Sequence, residues 1–134
     1  MKPVQIVLIE DNPGDVLLVE MALKENGILY ELTQFDTGVE AVQVLCAPAE
    51  ANAFVPDAIL LDLNTPRSDG FDVLIQLRQS ARLSHVPIAI LTSSQASSDK
   101  HRAVMQGVRY IQKPLHLEQF FATVGQAVKE MLHT

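Results

Sequence analysis

Cysteine is nearly absent from this sequence: Cys46 is the only one in 134 residues, so no internal disulfide can form, and a lone thiol without companion ligands makes a poor metal site. It reads as a small apolar residue on a helix face. The histidines, at 85, 101, 116 and 133, lack metal-ligand spacing and read as surface residues. Positive charge is scarce too. Ten Lys and Arg stand against sixteen Asp and Glu, and a net charge of -6 argues against the basic face that DNA or RNA binding needs. No apolar run approaches a membrane span, and the first, Val4 to Ile9, is too short for a secretory signal core. The expectation is a cytoplasmic protein that binds neither nucleic acid nor membrane. Repeats and low-complexity segments are missing, and 48% hydrophobic with 19% charged residues is a globular composition. The length suits one domain over residues 1–134 with no attached output domain.

What is present is a series of short apolar runs, each ending in a polar residue. Val4 to Ile9 runs into Glu10 and Asp11, Ala58 to Leu61 into Asp62, Val86 to Leu91 into Thr92, and Val108 to Ile111 toward Lys113. Runs that are apolar throughout read as strands buried on both faces, whereas Tyr30 to Phe35 mixes polar and apolar residues as an edge strand does. Helix signals fall between them. Asn12-Pro13-Gly14-Asp15 supplies a cap, an N1 proline and a first-turn acid, and Thr37-Gly38-Val39-Glu40 matches a capping box. Phe71, Leu74, Ile75 and Leu77 carry a third helix, Ser93 to Ser98 leads into a fourth, and Leu117, Phe121, Val124 and Val128, with Phe120 beside them, make a fifth. Ala47 to Pro56 reads as a loop. Strict alternation of strand and helix predicts an α/β fold: a doubly wound, five-stranded parallel sheet of flavodoxin-like order 2-1-3-4-5, with helices on both faces.

In such a sheet the carboxyl ends of the strands line one crevice, which is where ligands bind. Glu10, Asp11, Asp62, Thr92 and Lys113 therefore meet at one edge. Three acids together repel one another unless a cation is present, and a few hard oxygen ligands suit Mg²⁺. A carboxylate that attacks phosphorus must have its anionic partner neutralised. Lys113 offers a charge and Thr92 a hydroxyl for that purpose. Each residue also has a duller role: the acids as helix-dipole partners, Asp62 as a turn former, Lys113 as a solvated cation, and Thr92, Ser93 and Ser94 as loop hydroxyls capping the fourth helix.

The ordered set Glu10-Asp11, Asp62-Leu63-Asn64-Thr65-Pro66 with Asp69-Gly70, Thr92-Ser93, and Tyr110-Ile111-Gln112-Lys113-Pro114 resembles the receiver domain of two-component response regulators over nearly the whole chain. Within that family, Glu10 to Asp15 and Leu91 to Ala96 are similar to the small regulators paired with phytochrome-type sensor histidine kinases. The resemblance implies a stand-alone switch, not an enzyme with a separate substrate. Asp62 would accept a phosphoryl group from a kinase phosphohistidine, and Mg²⁺ would be held by Asp11, Asp62 and the Asn64 backbone carbonyl, with Glu10 acting through a metal water. It further implies that Thr92 and Tyr110 turn on phosphorylation, that Lys113–Pro114 is a cis peptide bond, and that a homodimer forms through the fourth helix, fifth strand and fifth helix. Glu10 in place of the usual aspartate and Ser93 in place of a smaller residue depart from the pattern; Ser93 is expected to narrow access.

Three other functions compete. A metal-dependent phosphohydrolase would place its nucleophile after the first strand. A flavodoxin-like cofactor binder would not set Glu10 and Asp11 where a phosphate must sit. An adaptor independent of phosphorylation needs only the fold.

Overall fold

Strand and helix alternate in the computed structural model of the protein, which describes residues 2–48, 50–51, 54–67 and 69–133. Both ends of the 1–134 domain, and positions 49, 52 and 53 of the loop expected over 47–56, lie outside the described residues. The order is β1 (Val4–Ile9), α1 (Pro13–Glu25), β2 (Tyr30–Phe35), α2 (Gly38–Leu45), β3 (Ala58–Leu61), α3 (Gly70–Gln79), β4 (Ile88–Thr92), α4 (Ser97–Met105), β5 (Arg109–Gln112) and α5 (Leu117–Leu132). All strand pairs are parallel and the sheet runs β2-β1-β3-β4-β5, the predicted order.

Because successive strand residues face opposite ways, the sheet divides its apolar residues between two cores. Val7, Ile9, Ile59, Leu61, Ile88 and Ile90 pack with α2, α3 and Ala103 of α4. Ile6, Leu8, Ala58, Leu60, Ala89 and Leu91 pack with α1 and α5. β3 and β4 are buried at every position, while β2 mixes exposed and partly buried positions, as an edge strand does.

The helix starts follow their caps. Asn12 accepts from the N–H groups of Gly14 and Asp15, Thr37 from that of Glu40, and Asp69 from those of Phe71 and Asp72. α1 ends before Gly27, whose φ of 70° suits a residue without a Cβ. α3 departs from expectation: Val73 is buried and Ile75 is 39% exposed. The buried stripe runs through Gly70, Leu74 and Leu77, and Val73 lies closer to it around the helix than Ile75 does. On α5, Phe120 is the buried member of its aromatic pair, Phe121 is half-buried, and Leu117 stands 50% exposed in the first turn.

α1 and α5 pack closely because Gly125 has no side chain. A Cβ there would come within 1.8 Å of the Asn26 amide nitrogen, which donates to the carbonyls of Ala22 at 2.8 Å and Phe121 at 2.9 Å. Gly70 plays the same part for α3, since a Cβ would meet the Leu63 backbone at 2.7 Å. Among the described residues, no helix is long and apolar enough to cross a membrane.

Candidate functional site

The main chain fixes the site before any side chain does. Ladder hydrogen bonds continue one residue past the strand ends: Glu10 N–H donates to Phe35 O at 2.9 Å, Asp62 N–H to Ile9 O at 3.0 Å, and Lys113 N–H to Thr92 O at 2.7 Å. Glu10, Asp62, Thr92 and Lys113 are thereby brought to one edge of the sheet, with Asp11 exposed beside them.

Asp62 is 7% exposed. Its Oδ1 accepts from the Asn64 N–H at 3.0 Å, and its Oδ2 lies 3.4 Å from the Lys113 ammonium. Glu10 is 2% exposed and meets the same ammonium at 2.6 Å through Oε1, while its Oε2 accepts from the Asn12 N–H at 3.3 Å. Burial is the largest influence on Glu10 and pushes its pKa up to about 7, against the lowering effect of the Lys113 hydrogen bond and with help from the charge of Asp62. Lys113 goes the other way. Burial works to lower its pKa, but the hydrogen bonds to Glu10 and Asp15 and the charges of Asp62 and Glu10 outweigh it and leave the ammonium held above its ordinary range.

Thr92 is fully buried. Its hydroxyl oxygen accepts from the Asn64 side-chain amide at 3.3 Å and from the Ser94 N–H at 3.2 Å. Tyr110 is half-buried, and its hydroxyl donates to the Ser94 carbonyl at 3.0 Å. Ser93 is exposed and lines, with Asp15, Lys113, Leu18 and Phe120, a pocket of about 460 Å³.

One expectation fails. The Lys113–Pro114 peptide bond is trans, as are the others among the described residues. Trans is the default even before proline, by about 0.5–1 kcal/mol, and Lys113 reaches its acids from a trans chain without needing the other isomer.

Sequence reasoning missed three residues. Asp15 was read only as a first-turn acid, but its Oδ2 accepts from Lys113 at 2.9 Å. The available signal was position: Asp15 lies one helical turn beyond Asp11, in a helix that starts at the same sheet edge. Gln34, near the end of an edge strand, donates to the Glu10 carbonyl at 2.6 Å and to Asp36 at 2.7 Å, and nothing in its surroundings marked it. Ser94 was read as a capping hydroxyl. It does accept from the Ala96 N–H at 3.2 Å, but it also donates to Asp99 at 2.7 Å and links Thr92 to Tyr110 through its backbone.

Among the described residues, no group of three or more His, Cys, Asp or Glu is arranged as a ready metal cage; the Lys113 ammonium holds the centre of the acids. The donor chemistry nevertheless suits a hard divalent cation. The oxygens belong to the carboxylates of Glu10, Asp11 and Asp62, hard donors gathered at one edge of the sheet.

Comparison with known proteins places these residues in context. The sequence profile of the response regulator receiver domain matches residues 6–125. The chain is 35% identical over 124 residues to response regulator Rcp1 of Synechocystis, covering 91% of this chain and 84% of that protein. Its fold superposes on the crystal structure of the phosphorylated cyanobacterial phytochrome response regulator RcpA with a TM-score of 0.86 at 33% identity, covering 98% of this chain and 95% of the other. For the Mn²⁺-bound crystal form of Rcp1 the TM-score is 0.84 at 33% identity, with coverage of 98% and 96%.

Proposed function

The chain belongs to the response regulator receiver domain family, and on that premise we propose that Asp62 is the residue on which it takes a phosphoryl group, from the phosphohistidine of a sensor histidine kinase. The observation that carries this reading is the environment of Asp62. It is buried just past the end of β3, one oxygen is turned to the Lys113 ammonium, and Thr92 ends the neighbouring strand β4 at the same edge, where its hydroxyl oxygen accepts from the Asn64 side chain.

The reaction asks little covalent chemistry of the protein. An Asp62 oxygen attacks phosphorus, the bond from phosphorus to the donor breaks, and the electron pair leaves with the donor. Lys113 neutralises charge on one phosphoryl oxygen. Thr92 supplies a hydrogen bond to another after its hydroxyl turns away from Asn64 and Ser94. Asp11, Asp62, the Asn64 carbonyl and, through water, Glu10 are the groups that would hold Mg²⁺, which when bound supplies positive charge shared between nucleophile and phosphoryl group. Hydrolysis by water at the same phosphorus returns the free carboxylate, so the protein is a switch that catalyses its own transfer and reversal.

Tyr110 is read as the residue that carries the change outward, because its hydroxyl rests on Ser94, two residues beyond Thr92. The face it serves is α4, β5 and α5, where Val104 is 65% and Met105 71% exposed and Arg109 pairs with Glu130 at 2.9 Å. We read this face as the homodimer contact. The similarity to Rcp1 and RcpA points to a phytochrome-type kinase, and a cytoplasmic location follows from such a partner.

Intact-mass spectrometry after incubation with acetyl phosphate tests the central claim. The parent should gain one phosphoryl adduct only with Mg²⁺ present, and Asp62→Asn should gain none. An adduct on Asp62→Asn, or none on the parent, sinks it.

A further inference from the structure

Lys113 has three N–H bonds and meets three carboxylates: Glu10 at 2.6 Å, Asp15 at 2.9 Å and Asp62 at 3.4 Å. An ammonium has no fourth donor. A phosphoryl oxygen arriving at Asp62 can take over the long Asp62 contact, but the ammonium then stays drawn toward Glu10 and Asp15 at the shorter distances, and a closer approach to the phosphoryl group requires one of those two to let go. Glu10 is poorly placed to let go, since its side chain is 3% exposed and water cannot replace the lost contact. The Asp15 side chain is 29% exposed and can be rehydrated on release. It also lines, with Lys113, an open pocket of about 460 Å³, so water and solutes reach the Asp15 side of the ammonium.

We propose that Asp15 is a positioning residue for phosphoryl transfer: it holds the Lys113 ammonium back from the phosphoacceptor and competes with the incoming phosphoryl group for it. This rests on the reading of Asp62 as phosphoacceptor. A first-turn acid serves the dipole of its own helix whether or not it touches anything else. The dipole role requires no contact with a lysine 98 residues away, which the structure shows.

With acetyl phosphate as donor, an Asp62 oxygen forms the new bond to phosphorus, the phosphorus–acetyl oxygen bond breaks, and acetate leaves with the electron pair. Asp15 takes no part in these bonds. It sets how readily Lys113 turns to the donor, so it acts on donor capture and not on the bond-making step. Replacing its carboxylate by an amide leaves Lys113 a weaker neutral acceptor that a phosphoryl oxygen displaces easily.

The test is the initial rate of Asp62 phosphorylation across a range of acetyl phosphate concentrations, at fixed Mg²⁺ and ionic strength, for the parent, Asp15→Asn, Asp15→Glu and Asp36→Asn. Asp36 is an exposed acid at the same sheet edge, bonded to Gln34 and not to Lys113. Asp15→Asn should lower the apparent KM roughly threefold to tenfold while the maximal rate changes less than about twofold, Asp15→Glu should restore parental values, and Asp36→Asn should match the parent. Parental kinetics in Asp15→Asn overturn the proposal. So does an equal fall in KM in Asp36→Asn, which would make the effect a simple loss of negative charge. The intact masses of the parent and of Asp62→Asn separate these failures from a failure of the Asp62 reading, which alone leaves the parent without an adduct or gives Asp62→Asn one.

Discussion

α4 and α5 flank the same strand, β5, yet different forces hold them. Six of the sixteen residues of α5 are buried, among them Phe120, Val124, Val128 and Met131. Of the nine residues of α4 only Ala103 is buried. α4 is held instead by directional contacts at its start and along one side: Ser94 to Asp99 at 2.7 Å, and the Arg102 guanidinium over the Phe71 ring at 4.0 Å. Hydrophobic burial is lost only by exposing area to water, whereas a half-exposed hydrogen bond exchanges with water at a net cost of about 1 kcal/mol. A local event at Thr92 can therefore displace α4 while leaving α5 seated. The helix that follows Thr92 and packs beside Tyr110 is the one with the fewest buried residues.

The contrast is sharpest if each helix is weakened by its own means. Phe120→Ala removes a 3% exposed side chain from the α1–α5 core and should destabilise the protein by about 3–5 kcal/mol in urea or thermal unfolding. Gly125→Leu should be severe as well, because even a Cβ there collides with the doubly bonded Asn26 amide. A loss under about 1 kcal/mol from Phe120→Ala would mean that α5 is no better anchored than α4.

The same difference decides what could be read in the sequence. α5 carries its apolar residues at helical spacing, so its inner face was legible in Val124 and Val128, although Phe120 is buried more fully than Phe121, and Leu117, on the same stripe but in the first turn, is 50% exposed. α4 has no such stripe, and its anchor joins a loop serine to a first-turn aspartate, a pairing that periodicity does not reveal. At the site, Glu10, Asp62, Thr92 and Lys113 were legible because each follows an apolar run that ends at the same sheet edge. Asp15 was not, because a first-turn acid already has a sufficient local reason to be there. The Lys113–Pro114 isomer was misjudged because proline permits a cis bond without requiring one.

A second prediction sets the polar edge of the sheet against its apolar interior. The pKa of Glu10 is raised by burial to about 7 from an ordinary value of 4.5, so between those values the folded protein holds a proton that the unfolded chain has released. Stability contributed by this group is fully present below about pH 4.5 and is lost as pH rises through about 7. The loss should be about 1–2 kcal/mol, less than the full shift implies because water reaches the open side of the site. Glu10→Gln should remove this part of the pH dependence, and Mg²⁺ should offset it in the parent above pH 7. Thermal melts from pH 5 to 8 give the slope; a parental slope in Glu10→Gln would show that Glu10 is not its source.

Asp99→Ala tests the α4 anchor directly. It should cost about 1 kcal/mol of global stability, the worth of one partly buried hydrogen bond, but amide exchange should speed up over residues 97–105 and leave 117–132 unchanged. Uniform acceleration across both helices would mean that α4 and α5 open together, and the proposed division between them would be wrong.

The smallest effects on folding belong to Val104→Ala and Met105→Ala. These side chains are 65% and 71% exposed, so truncating either should change stability by no more than about 0.5 kcal/mol. Exposed apolar groups that contribute so little to folding remain available to a second copy of the chain, where burying them does lower the free energy. Sedimentation of the phosphorylated protein should then show weaker self-association in the double variant although its melting temperature is parental. If association is unchanged, the lightly held helix moves without its C-terminal end forming the contact, and the homodimer reading must shift to the exposed residues of β5 and α5.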